Sequence, residues 1–208
     1  MVSNSSLRAV RWHRSVENSA ETIPGRARPA SALYNGRVPF SVREFKSADF
    51  DTLWRIDQSC FASGISYSRA ELKFYIRRPA SFTLVAAGVA TGDSPEAARG
   101  EKKSSPAVVD DATVAGFIVA EAGPRARGHI ITIDVVAAAR RFGVGSLLLR
   151  AAEDRLILAE CRAVELETAV DNVSALAFYQ RHGYSVIKTF PRYYSNGVDA
   201  LVLEKTLV

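Results

Sequence analysis

Arg140-Arg141-Phe142-Gly143-Val144-Gly145-Ser146 joins two guanidinium groups to two glycines, a combination suited to holding a diphosphate. Gly143 and Gly145 carry no Cβ, so the backbone there can approach a ligand closely and adopt a positive φ. The first N–H groups of a helix starting here would lack intrahelical acceptors and sit at the positive end of its dipole. Arg140 and Arg141 would add charge-assisted hydrogen bonds. The same segment would serve equally as a strand-to-helix turn that merely needs small residues, and by itself it leaves both readings open. It does not fit a dinucleotide turn of the G-x-G-x-x-G kind. Leu148 stands where the third glycine belongs, and the segment comes late in the chain, not in an opening βαβ unit.

Positioning this turn requires a strand before it and a helix behind it. His129 to Val136 is an apolar run that reads as a buried strand, and Val144, Leu147, Leu148, Ala151 and Ala152 recur at helical spacing, giving a helix from Phe142 to about Ala159. Upstream, Phe40 to Phe45 reads as a first strand. Ser47 is the expected N-cap of a helix reaching about Ser59, and Ser68 that of a second helix ended by Pro79. Strands follow at Ser81–Gly88 and Thr113–Ala122. Downstream come a strand over Ala163–Val170, a helix capped by Asp171 or Asn172 and stopped at His182-Gly183, and closing strands at Tyr184–Phe190 and Ala200–Thr206. The order is βααβββαβαββ, an α/β protein with a mixed sheet. Residues 1–38, rich in Ser, Ala, Arg and Pro, read as a disordered or flexible tail, and residues 89–112 as a mobile insertion in the turn between two strands. Residues 39–208 form the expected domain.

The formal charge of +5 is mostly located in the tail, which holds six arginines against Glu17 and Glu21, a surplus of four that leaves about one for the remainder. A basic tail on a near-neutral domain gives no folded footprint for nucleic acid, so none is expected as a direct partner. No apolar run reaches the roughly 20 residues of a membrane span, and Met1 to Ala20 contains no apolar block of signal-peptide type. The expectation is a cytoplasmic protein without a membrane partner. Cys60, Cys161 and the three histidines lack metal-ligand spacing, so no metal is expected and each cysteine reads as a small buried hydrophobe.

The element order, with Arg140-x-x-Gly143-x-Gly145 after the fourth strand, resembles the GNAT acyltransferase superfamily, whose acyl-coenzyme A motif is Gln/Arg-x-x-Gly-x-Gly/Ala. Asn172-Val173-Ser174-Ala175-Leu176-Ala177-Phe178-Tyr179, running on to Gly183-Tyr184, is similar to the family's Asn-x-x-Ala-x-x-(Phe/Leu)-Tyr-x-x-x-Gly-Phe segment. The resemblance covers roughly residues 39–206. It implies a GNAT fold: a mixed central sheet of about seven strands with about four helices, splayed between the fourth and fifth strands. It further implies acetyl-coenzyme A as co-substrate, held by Arg140, Arg141, Phe142, Gly143, Val144, Gly145 and Ser146. Main-chain groups around Asp134, Val135 and Val136 would contribute, with Asn172, Ala175 and Tyr179. For Asn172, helix capping alone would explain the residue type.

The ending Arg192-Tyr193-Tyr194-x-x-Gly197-x-Asp199-Ala200 resembles protein N-terminal acetyltransferases, especially the ribosomal-protein (RimI-type) branch, where a paired-tyrosine turn contacts the incoming terminus. Tyr193 and Tyr194 are then substrate-binding, together with Phe61, Ile65 and Tyr67 from the loop between the first two helices. A hydrophobic plug on the sheet end is the alternative for the two tyrosines. Glu167 matches the branch's glutamate on the fifth strand and is the expected base, while strand alternation puts Glu165 on the same face, leaving two solvent-facing glutamates as the bland alternative. His129, opening the fourth strand, is a second candidate base, otherwise a strand-end histidine facing water. Tyr179 matches the tyrosine beside the coenzyme sulfur and is the expected acid. Expected partners are a protein N-terminus or a small amine, with ribosomal association allowed, in a monomer or weak dimer. The activity expected is N-terminal protein acetylation. Acetylation of a polyamine or antibiotic and a non-catalytic coenzyme-binding module are the alternatives. The 60–67 loop lacks the Pro-Trp often seen in the ribosomal-protein branch.

Overall fold

The computed structural model describes residues 40–60, 66–88, 114–194 and 197–207. The expected tail, the 89–112 insertion, Phe61 and Ile65 lie outside the described residues. Among the described residues seven strands form one sheet: β1 (Phe40–Glu44), β2 (Ser81–Gly88), β3 (Val114–Gly123), β4 (Arg127–Val135), β5 (Ala163–Ala169), β6 (Ser185–Phe190) and β7 (Ala200–Thr206). Their spatial order is β1-β2-β3-β4-β5-β7-β6, and every pairing is antiparallel except β4 with β5. The helices are α1 (Phe50–Cys60), α2 (Arg69–Ile76), α3 (Val144–Leu158) and α4 (Val173–Arg181).

Two helix starts differ from the sequence expectation. Ser47 does not cap α1; it opens a short 3-10 turn, Ser47–Asp49, whose buried Asp49 carboxylate accepts from the Lys46 N–H and is gripped by Arg43. The helix follows at Phe50. α3 begins at Val144, not Phe142, because Arg141 (φ 68°) and Gly143 (φ 83°) are left-handed and cannot be part of a right-handed helix. Ser68 caps α2 as expected, its hydroxyl accepting from the Glu71 N–H while Glu71 returns to the Ser68 N–H.

The sheet is covered on both faces. Leu53, Ile56, Cys60, Leu72 and Tyr75 of α1 and α2 pack on Val85, Phe117, Val119 and Ile131. On the other face Val144, Leu148, Leu149, Ala152 and Leu156 of α3, with Ala175 and Tyr179 of α4, pack on Ile118, Ile130, Ile133, Val135, Val164 and Leu166.

A β-bulge in β4 shapes the centre of this sheet. Val119 pairs with Thr132 and Ala120 with Ile130, so Ile131 has no β3 partner of its own. A bulge bends its strand and raises the local twist. The parallel pairing of β4 with β5 runs only from Arg127↔Ala163 to His129↔Glu165 and ends just before the bulge, so the two strands part where β4 bends. The extra residue also resets the side-chain alternation. Ile130 faces α3, and so do Ile133 and Val135, which turns Asp134 toward α1. The carbonyl of Ile131, freed from regular pairing, accepts from the Tyr67 hydroxyl at 3.4 Å.

Candidate functional site

His129 is the last β4 residue paired with β5 before the strands separate. Its Nε2 lies 2.8 Å from Glu167 Oε2, and both side chains are buried, the residues retaining 8% and 3% of their exposure. The contact arises because Glu167 stands two residues beyond Glu165, the register partner of His129, on the same face of β5. Glu165 instead reaches Arg127, 3.6 Å away. Glu121, directly opposite His129 on β3, holds Arg78 at 3.0 Å. Burial opposes an imidazolium at His129, but the hydrogen bond and charge of Glu167, with the charges of Glu121 and Glu165 behind it, outweigh burial and raise its pKa above the ordinary 6.5. Nδ1 of His129 is buried with no hydrogen-bond partner among the described residues. The two residues read from the sequence as competing bases therefore form one hydrogen-bonded unit, and neither faces water.

The other end of the gap is the turn into α3. The first intrahelical bond runs from Leu147 N to Gly143 O, so the N–H groups of Val144, Gly145 and Ser146 have no acceptor within the helix. Gly143, Phe142 and Arg141 are exposed. Arg140 is committed to the protein: its Nε donates to the Val135 carbonyl at 3.0 Å and its Nη2 lies 3.5 Å from Cys60 Sγ. Arg141 is the guanidinium left on the surface of the turn. Amides at a helix N-terminus, a left-handed glycine and one exposed arginine suit a diphosphate.

The acetyltransferase (GNAT) family model matches residues 51–184, which span both ends of this gap. The chain belongs to that family. An uncharacterised N-acetyltransferase of Methanocaldococcus jannaschii is 38% identical over 96 residues, 46% of this chain and 61% of that protein. N-alpha-acetyltransferase 30 of Xenopus laevis is 41% identical over 78 residues, 38% of this chain and 29% of that protein. The chain thus spans less than two thirds of the length of either relative. Among solved structures, the ribosomal-protein-S18-alanine N-acetyltransferase of Escherichia coli superposes with a TM-score of 0.62 at 17% identity, over 81% of this chain and 94% of that one, a likeness of fold. The GNAT topology, with seven strands, four helices and one parallel pair at β4–β5, agrees with the sequence expectation.

The remaining GNAT-motif residues occupy distinct surroundings. Tyr179 is wholly buried on the α3 side, its ring 5.4 Å from that of Tyr184. It lies on the face of the sheet opposite His129 and Glu167, since Gly128, the neighbour of His129, faces Leu156 of α3. Asn172 caps α4, its Oδ1 accepting from the buried Ala175 N–H at 3.2 Å. Asp134 pairs through its backbone with Phe117, and Val136 N donates to Ala115 O. Tyr67 is a core residue, with its N–H on Asp57 Oδ2 at 2.8 Å and its ring edge-on to Tyr75. Tyr193 and Tyr194 gather with Phe190, Ala169, Val198 and Ala200 in a small apolar cluster at the end of the sheet.

Two features escaped sequence reading. Asp57 of α1 and Asp134 of β4 are both buried and electrostatically linked; burial first, then the Asp57 charge, holds the Asp134 carboxyl well above the usual carboxylate range. An aspartate inside the apolar run Ile130–Val135 is the signal that could have flagged the pair. Burial, then the Asp134 charge, pushes the nearby Cys60 thiol up to about 11, against the pull of Arg140, so this cysteine is an inert hydrophobe. His182, read only as a helix stop, bonds Ser146 of α3.

Proposed function

We propose that this chain transfers an acetyl group from acetyl-coenzyme A to a primary amine, and that the acceptor is the α-amino group of a protein N-terminus. The observation that carries the reading is the buried His129–Glu167 pair at the point where β4 and β5 part. Bound acetyl-coenzyme A supplies the activated thioester. An N-terminal α-ammonium has a pKa near 8 and must shed a proton before its nitrogen can attack, a demand that one modest base meets. Glu167 holds the Nε2–H of His129, which fixes the tautomer and leaves Nδ1 as the basic nitrogen of the neutral ring. The pair takes the ammonium proton, and Glu167 stabilises the imidazolium that results. Tyr179, on the opposite face, is the group assigned to give a proton to the departing thiolate. The amides of Val144, Gly145 and Ser146, with Arg141, would hold the diphosphate. Asn172 orders the start of α4 by capping it.

Likeness to N-alpha-acetyltransferase 30 supports an α-amino acceptor, and the paired tyrosines Tyr193-Tyr194 suit the flank of a peptide path. Incubation with acetyl-coenzyme A and a library of free-N-terminal peptides, read by mass spectrometry, tests this. Acetylation at the first residue is expected, lost in Glu167→Gln and Tyr179→Phe with coenzyme affinity retained. Acetylation confined to small polyamines would replace the acceptor class, and coenzyme binding without turnover of any amine would leave a binding module.

A further inference from the structure

We propose that His182 couples a proton to coenzyme binding by setting which way the Ser146 hydroxyl points; the inference rests on the coenzyme reading above. His182 closes α4, and both of its ring nitrogens are engaged. Nδ1 lies 2.8 Å from the Phe178 carbonyl oxygen, Nε2 lies 2.9 Å from Ser146 Oγ, and the Phe178 ring packs against the imidazole with centroids 4.4 Å apart. A carbonyl oxygen only accepts, so Nδ1 carries a hydrogen in every protonation state that keeps this contact.

The polarity of the second contact follows. In the neutral ring Nε2 is a lone pair, and the Ser146 hydroxyl must donate its single hydrogen to it. The serine oxygen then offers only lone pairs to its remaining neighbours, the wrong polarity for a phosphate. With His182 protonated, Nε2–H donates to Ser146 Oγ, and the hydroxyl hydrogen is released to donate elsewhere. Ser146 is the third residue of α3, and its own N–H belongs to the first turn. A diphosphate at that turn meets a repelling lone pair in one state, and a donor backed by a cation in the other.

The charged groups carried by the elements around the pair are Arg140 and Arg141 in the turn, Arg150, Glu153, Asp154 and Arg155 on α3, Arg181 on α4, and Glu204 and Lys205 on β7, the lysine beside Gly183. Glu153 is bonded to the Tyr184 hydroxyl and to Lys205 Nζ, and Arg140 to the Val135 carbonyl. Glu153, Lys205 and Arg140 are thus already partnered within the fold, and the proton that answers the ligand's charge goes to His182. Coupling is reciprocal: the diphosphate draws a proton onto His182, and that proton tightens the diphosphate.

The test uses 3′-dephospho-coenzyme A, whose diphosphate keeps its charge over the range studied, in isothermal titration of the full chain from about pH 8 to about pH 6. Affinity should tighten roughly tenfold as the pH falls, with uptake of up to about one proton per ligand, read from two buffers of different ionisation enthalpy. His182→Phe should abolish the pH dependence. Ser146→Ala, a small change that leaves the imidazole in place, should shrink it. Affinity independent of pH with no proton uptake, or an unaltered pH dependence in His182→Phe, overturns the coupling. Failure of the wild-type chain to bind at any pH overturns the coenzyme reading first.

Discussion

His129 and Glu167 acquire their meaning from each other. A buried carboxylate and a buried imidazole 2.8 Å apart satisfy one another, whereas either alone would be a charged or polar group without compensation. In Glu167→Gln the hydrogen-bonded charge goes while the burial stays, so the His129 titration followed by NMR should move from above its ordinary value toward a lower pH. The acetylation rate of the same variant should drop by roughly 10²- to 10⁴-fold, the usual worth of a positioned proton acceptor. The linkage has a definite sign. Because the folded-state pKa of His129 is raised, its contribution to stability is fully present below about pH 6.5 and fades as the pH rises through the folded value. The gap in urea unfolding free energy between wild type and Glu167→Gln should accordingly narrow as the pH is raised.

At the level of elements, the β4 bulge decides most of what the site is. It ends the β4–β5 pairing, opens the gap and rotates Asp134 toward α1, where Asp57 already lies buried. The close approach of β3 to the end of β4 depends on Gly116, since a Cβ there would sit 2.4 Å from the Asp134 carbonyl oxygen. Backbone cannot yield as a flexible side chain would, so Gly116→Ala should destabilise by about 1–3 kcal/mol in chemical unfolding and lower turnover by shifting β4. Asp134→Asn should act in the opposite direction. The folded chain binds the Asp134 proton more tightly than the unfolded chain does, so stability falls as the pH rises from the ordinary carboxylate value through the raised one. Removing that titration should stabilise the protein at neutral pH and leave it nearly unchanged near pH 3, as thermal unfolding across the pH range would show.

Across the whole molecule the groups proposed to handle protons are divided between the two faces of the sheet. His129 and Glu167 share the α1–α2 side, Tyr179 lies among α3 and α4, and the parted strands are what lies between. Tyr179→Phe should therefore slow turnover without moving the His129 titration, which NMR of that variant would check. The sequence alone carried the element order, β2 and β7 to the residue and the cap at Ser68, and it placed a helix after the glycine pair while starting it two residues early. These depend on local chemistry: periodicity, β-branched runs, capping hydroxyls and glycine. The sequence alone also named His129 and Glu167, but as rivals. That they bond each other, that Asp57 meets Asp134, and that His182 reaches Ser146 are decided by register and packing between residues 36 to 77 positions apart. The bulge at Ile131 is the physical reason the sequence could not supply them. One unpaired residue reverses which face every later side chain of β4 occupies, and strict alternation read along the chain cannot register it.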